Sequence, residues 1–493
     1  MKTGQPLHGG SERENSNARS VKKKVRRAVL AYSGGLDTSI IVPWLKQHYG
    51  CEVVCYCSDV GQGAELEGLE ARARKSGASD VVVEDLRLPF VRDFCFPALR
   101  AGAVYEGAYL LGTSLARPLI AARQVACALE ADADAVAHGC TGKGNDQVRF
   151  ELAYLALAPQ LTVIAPWREW DIVSREDALA YAERNGIPVP TKKGDLFSRD
   201  ANLWHISHEG GPLEDPANEA PETLYKLTAN PDRQPARPET VRIGFERGVP
   251  VALEGRKLGP VELVQELNAI AGRHGVGRAD LVESRLIGMK SRGVYETPAG
   301  TVLHAALEDL CRLVLPHDLL RTRAELSTRM ADLIYNGQWF SPLRLALQAL
   351  VDAALEHADG DVTVELFRGQ ARAVARTSPK TLHRPDLASF DMTGYDAGHA
   401  EGFIRLFGLP LATAARREAE NGAKKDGPAK SATRRSSKAA LRGEERSDAL
   451  EARGGRRRSA LRGARRSQDG GAERAARSSS PLKAAPGVKT HVR

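Results

Sequence analysis

The sequence predicts an α/β fold, with a parallel sheet in its N-terminal part and a mixed α+β domain after it. Between residues 25 and 190, short apolar runs alternate with segments of helical spacing, which is typical of a parallel sheet covered on both faces. Glycine-rich turns follow several of these runs, at the sheet edge where ligands bind. Residues 192–238 are rich in Pro, Gly, Asn and Asp, and they indicate a change of domain near Pro190.

Each element of the N-terminal part is predicted from its own pattern. Apolar runs predict strands over residues 28–32, 53–57, 80–86, 135–138 and 161–165. Helical spacing predicts helices over residues 37–48, 65–75 (with Gly77 as its C-cap) and 114–129. A fourth helix is predicted from an N-cap at Ser174, with Asp177 three residues on, to Asn185-Gly186.

The remaining chain divides into a second domain, a helical segment and a tail. Helices are predicted over residues 260–274, 299–314 and 319–336, β-like runs over 241–245, 362–367 and 370–375, and a short helix over 396–407. The domains expected are a disordered basic extension (1–24), the sheet domain (25–190), a second domain (191–395), a C-terminal helix (396–415) and a disordered basic low-complexity tail (416–493).

Positive charge is concentrated at the two ends of the chain. Residues 1–27 contain 8 Lys/Arg and 2 Asp/Glu, and residues 416–493 contain 22 and 9. The 40 basic and 51 acidic residues left give the middle a net charge near −11, although the whole chain carries +8. The charge balance is therefore poor support for nucleic-acid binding by the folded body, and contact between the basic tails and nucleic acid stays an unsupported possibility.

Cysteine usage and hydropathy point to a compartment. Cys51, Cys55 and Cys57 cluster on a predicted buried strand without a second Cys/His pair at zinc-like spacing, so we interpret them as reduced thiols and expect no metal site there. Reduced thiols suit a reducing cytoplasm. No apolar run approaches the ~18 residues that a membrane span needs. We therefore predict a cytoplasmic protein without membrane contact.

Residues 31–39, AYSGGLDTS, predict an anion-binding loop. A strand, a glycine turn and a helix start follow one another here, so unpaired N–H groups at the helix start point at a ligand that the glycines let come close. Thr38 and Ser39 add hydroxyl donors. The loop matches neither the Walker A pattern nor the G-x-G-x-x-G fingerprint. An ordinary strand-to-helix turn stays open from these residues alone.

A second polar segment, HGCTGKGNDQVRFEL, follows the predicted strand that ends at His138. We interpret Thr141, Lys143, Asn145, Asp146 and Arg149 as members of one glycine-rich loop. Its Lys and Arg side chains are suited to hold carboxylates, and its Asp side chain is suited to accept from an ammonium group. A solvated loop with scattered ion pairs is the alternative, which a position at the ligand-binding edge of the sheet makes less probable.

Three further segments are ambiguous when taken singly. In YEGAYLLGTSLARP, Tyr109 and Ser114 are first interpreted as a core tyrosine and a helix N-cap. His205 and His208 lie three residues apart without a set of nearby carboxylates, so we interpret them as an unbound surface pair. Residues 280–298, DLVESRLIGMKSRGVYETP, on their own predict an ordinary charged face.

Taken together, these segments resemble the argininosuccinate synthase family. AYSGGLDTS resembles the SGGxDS-type loop of the wider ATP pyrophosphatase superfamily, and TGKGNDQVRFEL is the more specific string. SDVGQG, YEGAYLLGTSLARP, SRDANLW, IGMKSRGVYETP and GFIRLFGLP follow the family's order and spacing over about residues 25–415. The resemblance implies a parallel-sheet nucleotide-binding domain of the adenine nucleotide alpha-hydrolase-like type, an α+β synthetase domain and a C-terminal oligomerisation helix.

Site residues are implied by position in that resemblance. ATP would contact Ala31, Tyr32, Ser33, Gly34, Gly35, Leu36, Asp37, Thr38, Ser39, Ser58 and Gly139. Aspartate would contact Thr141, Asn145 and Asp146. Citrulline would contact Tyr109, Ser114, Asn145, Arg149, Ser198, Ser207, Glu283 and Tyr295. The catalytic residues would be Asp37, Asn145 and Asp146.

The resemblance also implies the activity, a carbon–nitrogen ligase of arginine biosynthesis. ATP would adenylate the ureido oxygen of citrulline, and aspartate would then displace AMP from citrullyl-AMP to give argininosuccinate. Mg²⁺ would accompany ATP, with Asp37 orienting it, and the chain would form a homotetramer. Two other classes stay open: an adenylating pyrophosphatase that acts on tRNA, and a non-catalytic nucleotide-binding scaffold.

Overall fold

The N-terminal part contains the predicted parallel sheet. The structure, a computed structural model, describes residues 24–142, 144–187, 196–389 and 394–425. In chain order this part comprises β1 (Arg27–Ala31), α1 (Leu36–Tyr49), β2 (Glu52–Asp59), α2 (Leu69–Lys75), β3 (Asp80–Asp85), α3 (Arg87–Pro89), α4 (Phe96–Ala101), α5 (Gly112–Glu130), β4 (Ala135–Ala137), α6 (Asn145–Leu157), β5 (Thr162–Ile164) and α7 (Arg175–Arg184). Its capping box at Ser174 and Asp177 is present as predicted.

The order of the strands determines where a ligand can lie. The five strands are parallel in the order β3-β2-β1-β4-β5. The chain leaves β1 toward β2 on one side, whereas β4 pairs on the other side of β1. Ligands bind in the crevice that such a reversal opens beyond the carboxyl ends of the strands. The turns after β1 and β4, both glycine-rich, lie at this crevice.

The second part of the chain is built on two antiparallel sheets and a group of helices. It comprises β6 (Ser198–Ala201), β7 (Ile206–Glu209), β8 (Glu239–Glu246), β9 (Val249–Leu253), β10 (Arg256–Lys257), α8 (Pro260–Arg273), β11 (Arg278–Ser284), β12 (Lys290–Glu296), α9 (Pro298–Val314), α10 (His317–Tyr335), α11 (Pro342–Ala354), β13 (Gly360–Phe367), β14 (Gln370–Thr377) and α12 (Pro385–Ala388). The sheet orders are β10-β9-β8-β13-β14 and β11-β12-β7-β6. An α/β fold with a separate antiparallel domain is thus confirmed.

One hydrophobic core joins the two parts up to residue 394. Leu115 and Leu119 of α5 belong to the same cluster of buried side chains as Leu263, Leu303 and Ile334 of the second part. Because core packing fixes side chains in single positions, polar groups from both parts are held at constant distances.

Three local predictions were wrong, each for a physical reason. The predicted helix 65–75 is a short 3₁₀ turn followed by α2, because Gly68 adopts a left-handed conformation (φ 66°) between them. The segment that begins at His138 is not one loop, because α6 starts at Asn145. The charged stretch 280–298 is not one exposed charged face, because the hairpin of β11 and β12 exposes Asp280 on one face and buries Glu283 on the other.

The C-terminal unit, from residue 395, contains two helices in its described part. These are α13 (Gly398–Phe407) and α14 (Leu409–Lys425). The predicted boundary at residue 415 is therefore too early, because helix continues past it. The rest of the predicted tail and residues 1–23 lie outside the described residues. No helix in the described ranges is long and apolar enough to cross a membrane.

Candidate active site

The turn after β1 is built to present backbone donors. Gly34 has a φ of 77°, a conformation that favours glycine, and the next residue, Gly35, is the extended N-cap of α1. No side chain in the described chain caps this helix. Instead the polar groups of the loop bond to one another. Ser33 N–H donates to Thr38 Oγ1 at 3.3 Å. The hydroxyls of Ser33 and Thr38 lie 3.1 Å apart, and those of Tyr32 and Ser39 lie 3.0 Å apart. The first-turn N–H groups of α1 are thus available to an anion.

The turn after β4 packs directly on this loop. A β-carbon at Gly139 would lie 3.0 Å from Thr38 Cγ2 and 3.2 Å from Ile41 Cδ1, so only a residue without a side chain fits without displacement. The structure therefore brings Gly139 together with residues 31–39. Ser58, at the end of β2, is buried, and its carbonyl accepts from Gln62 Nε2 at 2.6 Å.

Asp37 is the acidic group of this loop. It lies in the first turn of α1, where the helix dipole favours a negative charge. Desolvation by the surrounding protein raises the pKa of its carboxyl, and the positive charge of Arg175 opposes that rise. A bound cation would favour the ionised form of this carboxyl.

One face of the four-stranded sheet collects the distant polar residues. Tyr295 of β12 lies opposite Ser207 of β7, which lies opposite Asp200 of β6. Residues opposite one another, or two apart on one strand, share a face. Ser198 lies on the same face because it is two residues from Asp200. Glu283 lies on it because its partner across the strands, Ser291, is four residues before Tyr295.

Glu283 is the centre of a buried hydrogen-bond network on that face. Its carboxylate accepts from the hydroxyl of Tyr295 at 2.7 Å and from that of Tyr335, the last residue of α10, at 2.5 Å. The phenol of Tyr295 lies over Gly293, where a β-carbon would be 2.3 Å from the hydroxyl oxygen. The glycine two residues before the tyrosine thus gives the ring room to reach the carboxylate.

Tyr109 and Ser114 face this network from the start of α5. The ring of Tyr109 stacks on that of Tyr295, with centroids 4.3 Å apart, and its hydroxyl accepts from Thr113 N–H at 3.1 Å. Desolvation raises the pKa of Tyr109 to about 12, which keeps it neutral. The Ser114 hydroxyl is fully buried and has no hydrogen-bond partner among the described residues. A buried hydroxyl without a partner indicates a ligand or water at that place.

The first turn of α6 adds the second group of side chains. Asn145 donates from Nδ2 to Tyr335 Oη at 2.9 Å and accepts from Leu286 N–H at 3.0 Å. Arg149, one turn on, donates from Nε to the Tyr335 carbonyl at 2.9 Å. Its Nη2 is buried without a hydrogen-bond partner in the described ranges, so this guanidinium has a donor left for a ligand.

Asp146 is held by two arginines. It accepts from Arg117 Nε and from Arg149 Nη1, both at 2.8 Å, and Arg117 also bonds Asp200 on the sheet face. Desolvation alone would raise the pKa of Asp146, but the two guanidinium charges lower it to about 2. At Asp200 desolvation outweighs the charge of Arg117 and raises the pKa. Asp146 is therefore ionised at neutral pH.

Comparison with known proteins identifies the family of the chain. Family models match residues 27–188, the arginosuccinate synthase N-terminal HUP domain, and residues 197–414, the C-terminal domain of the same enzyme. The chain belongs to the argininosuccinate synthase family. An argininosuccinate synthase of Roseiflexus sp. (strain RS-1) is 58% identical over 390 residues, covering 79% of this chain and 96% of the relative. The chloroplastic argininosuccinate synthase of Arabidopsis thaliana is 54% identical over 399 residues, covering 80% and 81%.

Two of the residues predicted to contact the amino-acid substrates are exposed. Thr141 is exposed, and its carbonyl accepts from Gly144 N–H at 3.2 Å in the turn before α6. Ser198 shares the sheet face with the other members of its set but is exposed at the start of β6. Lys143, which the sequence predicts to hold a carboxylate, lies outside the described residues.

The interpretation of His205 and His208 as an exposed pair was wrong. Both are fully buried. His205 lies 3.0 Å from the Thr113 hydroxyl, and desolvation lowers its pKa to about 3, so it is neutral. His208 lies 2.9 Å from Glu296 Oε1, on the opposite face of the sheet from Tyr295. Local sequence does not reveal this burial, because the covering residues come from other elements.

Sequence reasoning missed Tyr335 and Arg117. Tyr335 contacts three predicted site residues, and Arg117 joins Asp146 to Asp200. Arg117 had a usable signal, because it belongs to the family string YEGAYLLGTSLARP. Tyr335 had none, since it ends a helix whose pattern indicates only core packing.

Proposed function

We propose that the loop of residues 31–39, the first turn of α6 and the sheet face around Glu283 form one active site. In it the ureido oxygen of citrulline attacks the α-phosphorus of ATP, pyrophosphate leaves, and the amine of aspartate displaces AMP to give argininosuccinate. The enzyme is an ATP-dependent ligase of the argininosuccinate synthase family. Residues 25–190 would supply the ATP site and residues 191–395 most of the amino-acid site.

The Tyr335 network is the observation that carries this proposal. Through one tyrosine it joins an acidic group, Glu283, a basic group, Arg149, and an amide, Asn145. An amino acid presents an ammonium and a carboxylate a few ångströms apart, which such a pair can hold at once. We assign Arg149 to the carboxylate of citrulline and Glu283 to its ammonium group. Tyr109, Ser114, Ser198, Ser207 and Tyr295 would line the same subsite.

The first step depends on charge stabilisation by the loop. A ureido oxygen is a weak nucleophile, so the site must favour the leaving pyrophosphate and align the attack. The N–H groups at the start of α1 and the hydroxyls of Ser33, Thr38 and Ser39 would hold the β- and γ-phosphates. Ser58 and Gly139 would contact the adenosine side. Mg²⁺ bound to ATP would supply further positive charge, and Asp37 is the residue that would hold it.

The second step requires aspartate next to the activated carbon. We assign Asp146, with Thr141 and Asn145, to the aspartate amine and carboxylates. Asp146 is ionised and so is suited to orient an ammonium group. Asn145 donates to Tyr335 Oη, which also bonds Glu283, and this supports our assignment of Asn145 to a position between the two amino-acid subsites.

Assembly and location complete the proposal. The face of α13 exposes Phe403, Ile404, Leu406 and Phe407, with Leu409 and Leu411 beyond it in α14. Apolar side chains exposed in a row indicate a protein contact, and we propose that this segment joins subunits of a homotetramer. All seven cysteines are free, which agrees with a reducing cytoplasm.

An isotope experiment tests the chemistry directly. The purified protein is supplied with ATP, Mg²⁺, aspartate and citrulline labelled with ¹⁸O in the ureido oxygen. We expect pyrophosphate release that depends on citrulline, and transfer of the label to AMP when aspartate is present. Label that stays out of AMP would contradict adenylation of citrulline. Turnover that depends on RNA instead would favour the tRNA-modifying alternative, and absence of turnover a nucleotide-binding scaffold.

A further inference from the structure

Arg72 of α2 is a positive charge held beside the loop of residues 31–39. Its Nη1 donates to the Glu67 carbonyl at 2.6 Å and its Nη2 to the Glu65 carbonyl at 3.1 Å. These are backbone contacts and leave the charge uncompensated. Within the described ranges Arg72 has no ion pair with a carboxylate, in contrast to its neighbour Arg74, which pairs with Glu70 at 2.8 Å.

The guanidinium lies against the loop glycine. A β-carbon at Gly34 would be 3.0 Å from Arg72 Nη2 and 3.3 Å from its Nε. The adjoining Leu69 side chain, 3.4 Å from the same point, packs beside it. Two backbone carbonyls and this packing therefore fix the guanidinium at the turn that precedes the N-terminus of α1.

The guanidinium also has an unused donor. Its Nε is buried and has no hydrogen-bond partner among the residues that the structure describes. A buried donor whose hydrogen bond is unmade indicates a ligand or a water molecule at that place. Gly34, which the guanidinium contacts, belongs to the proposed ATP site, so a phosphate of ATP is the ligand that we infer for this donor.

We propose that Arg72 supplies positive charge to the β,γ-pyrophosphate end of ATP. The inference rests on the proposed function, because it takes the loop as the phosphate site. As the bond to the α-phosphorus breaks, negative charge builds up on the departing pyrophosphate, and a fixed cation nearby stabilises it. The charge of Arg72 thus stabilises the pyrophosphate part of the nucleotide more than the AMP part. Arg72 needs no contact with citrulline or aspartate for this role.

Three variants test this role. Arg72→Gln removes the charge and keeps a donor for the carbonyls, Arg72→Lys keeps the charge, and Arg74→Gln is the matched control on the same helix. For Arg72→Gln we expect the KM for ATP and the inhibition constant of pyrophosphate to rise about tenfold, the loss of about 1.4 kcal/mol. The KM values of citrulline and aspartate, and inhibition by AMP, should stay near those of the wild type. Arg72→Lys should recover most of the loss, and Arg74→Gln should behave as the wild type.

Direct binding of pyrophosphate to the folded variants separates this role from a structural one. Calorimetry at equal folded fraction should show the same loss for Arg72→Gln. Unchanged ATP and pyrophosphate constants would overturn the inference, as would an equal rise in all constants or an Arg72→Lys variant as impaired as Arg72→Gln. If the wild type released no pyrophosphate with citrulline, the proposed function would fall, whereas the pyrophosphate affinities would still decide the role of Arg72.

Discussion

The loop of residues 31–39 and the sheet face around Glu283 are built in opposite ways. The loop is one contiguous stretch whose donors are its own backbone N–H groups and neighbouring hydroxyls. The sheet face brings together side chains from positions 198 to 335, and they bond mainly to one another. The loop therefore depends on a backbone conformation, whereas the sheet face depends on the identity and protonation of individual side chains.

The largest effect should come from disturbing the loop backbone. Gly34→Val places a β-branched residue at a φ of 77° and against Arg72. We expect kcat/KM for ATP to fall by more than about a hundredfold, because both the N–H groups and the nearby cation are displaced. Steady-state kinetics with saturating citrulline and aspartate measures the loss.

Gly50→Val is the matched control for backbone strain. Gly50 has a φ of 62° at the far end of α1, and a β-carbon there would meet nothing within 4 Å. Both variants should lose similar stability, by about 1–2 kcal/mol, but Gly50→Val should keep ATP turnover. Equal loss of activity in the two would mean that the loop has no special role.

The next largest effect should come from one carboxylate of the sheet face. Glu283→Gln removes the charge that we assign to the citrulline ammonium group and weakens the bonds from Tyr295 and Tyr335. We expect the KM for citrulline to rise about thirtyfold, the loss of about 2 kcal/mol that a charged hydrogen bond provides. The KM for ATP should change little.

Glu296→Gln distinguishes substrate binding from sheet stability. Glu296 is the next residue after Tyr295, and it points to the opposite face, where it accepts from the N–H groups of Leu227 and Thr228 and lies beside His208. This variant should lower the free energy of unfolding and leave the KM for citrulline unchanged. A rise in KM for both variants would show that Glu283 acts only through the sheet.

The two regions also differ in how well the sequence predicts them. Residues 31–39 are read correctly as strand, turn and helix, because glycine requirements and helix starts are local properties. The hairpin of β11 and β12 was not predicted. In sequence Glu283 looks like another charged residue beside Asp280 and Arg292. In the hairpin, however, these residues occupy different strand positions: Arg292 pairs with Asp280, and Glu283 bonds Tyr295. Only the register of the sheet assigns Glu283 to the buried face, and that register depends on residues far away in the chain.

A third prediction concerns Asp146, which we assign to the aspartate subsite. Asp146→Ala should raise the KM for aspartate far more than that for ATP, by about tenfold. Because Asp146 also holds Arg149, the KM for citrulline should rise as well, by a smaller factor. Initial-rate kinetics with each substrate varied in turn checks the order of effects, and equal changes for ATP and aspartate would contradict the assignment.

Asp146 should also contribute to stability in a pH-dependent way. Its pKa is lowered from 3.8 to about 2 in the folded state. A lowered folded pKa gives stability that is fully present above pH 3.8 and is lost as the pH falls through 2. Urea unfolding of the wild type and of Asp146→Asn should therefore differ by about 2 kcal/mol at pH 6, and the difference should shrink below pH 4. A constant difference would mean that packing, not charge, is responsible.

The smallest effect should come from the basic tail, in which we place no residue of either region. The site residues lie between positions 31 and 335, and the family match ends at residue 414. Deletion of residues 426–493 leaves α14 (Leu409–Lys425) complete, whereas deletion of residues 416–493 removes its last part. At low salt we expect both truncations to keep kcat/KM within about twofold of the full chain, since none of the residues that we assign to the site belongs to the deleted segments. Light scattering on the two proteins then tests the subunit contact separately: a change of mass only in the shorter one would assign residues 416–425 to assembly, and a large loss of turnover in both would give the tail a part in catalysis.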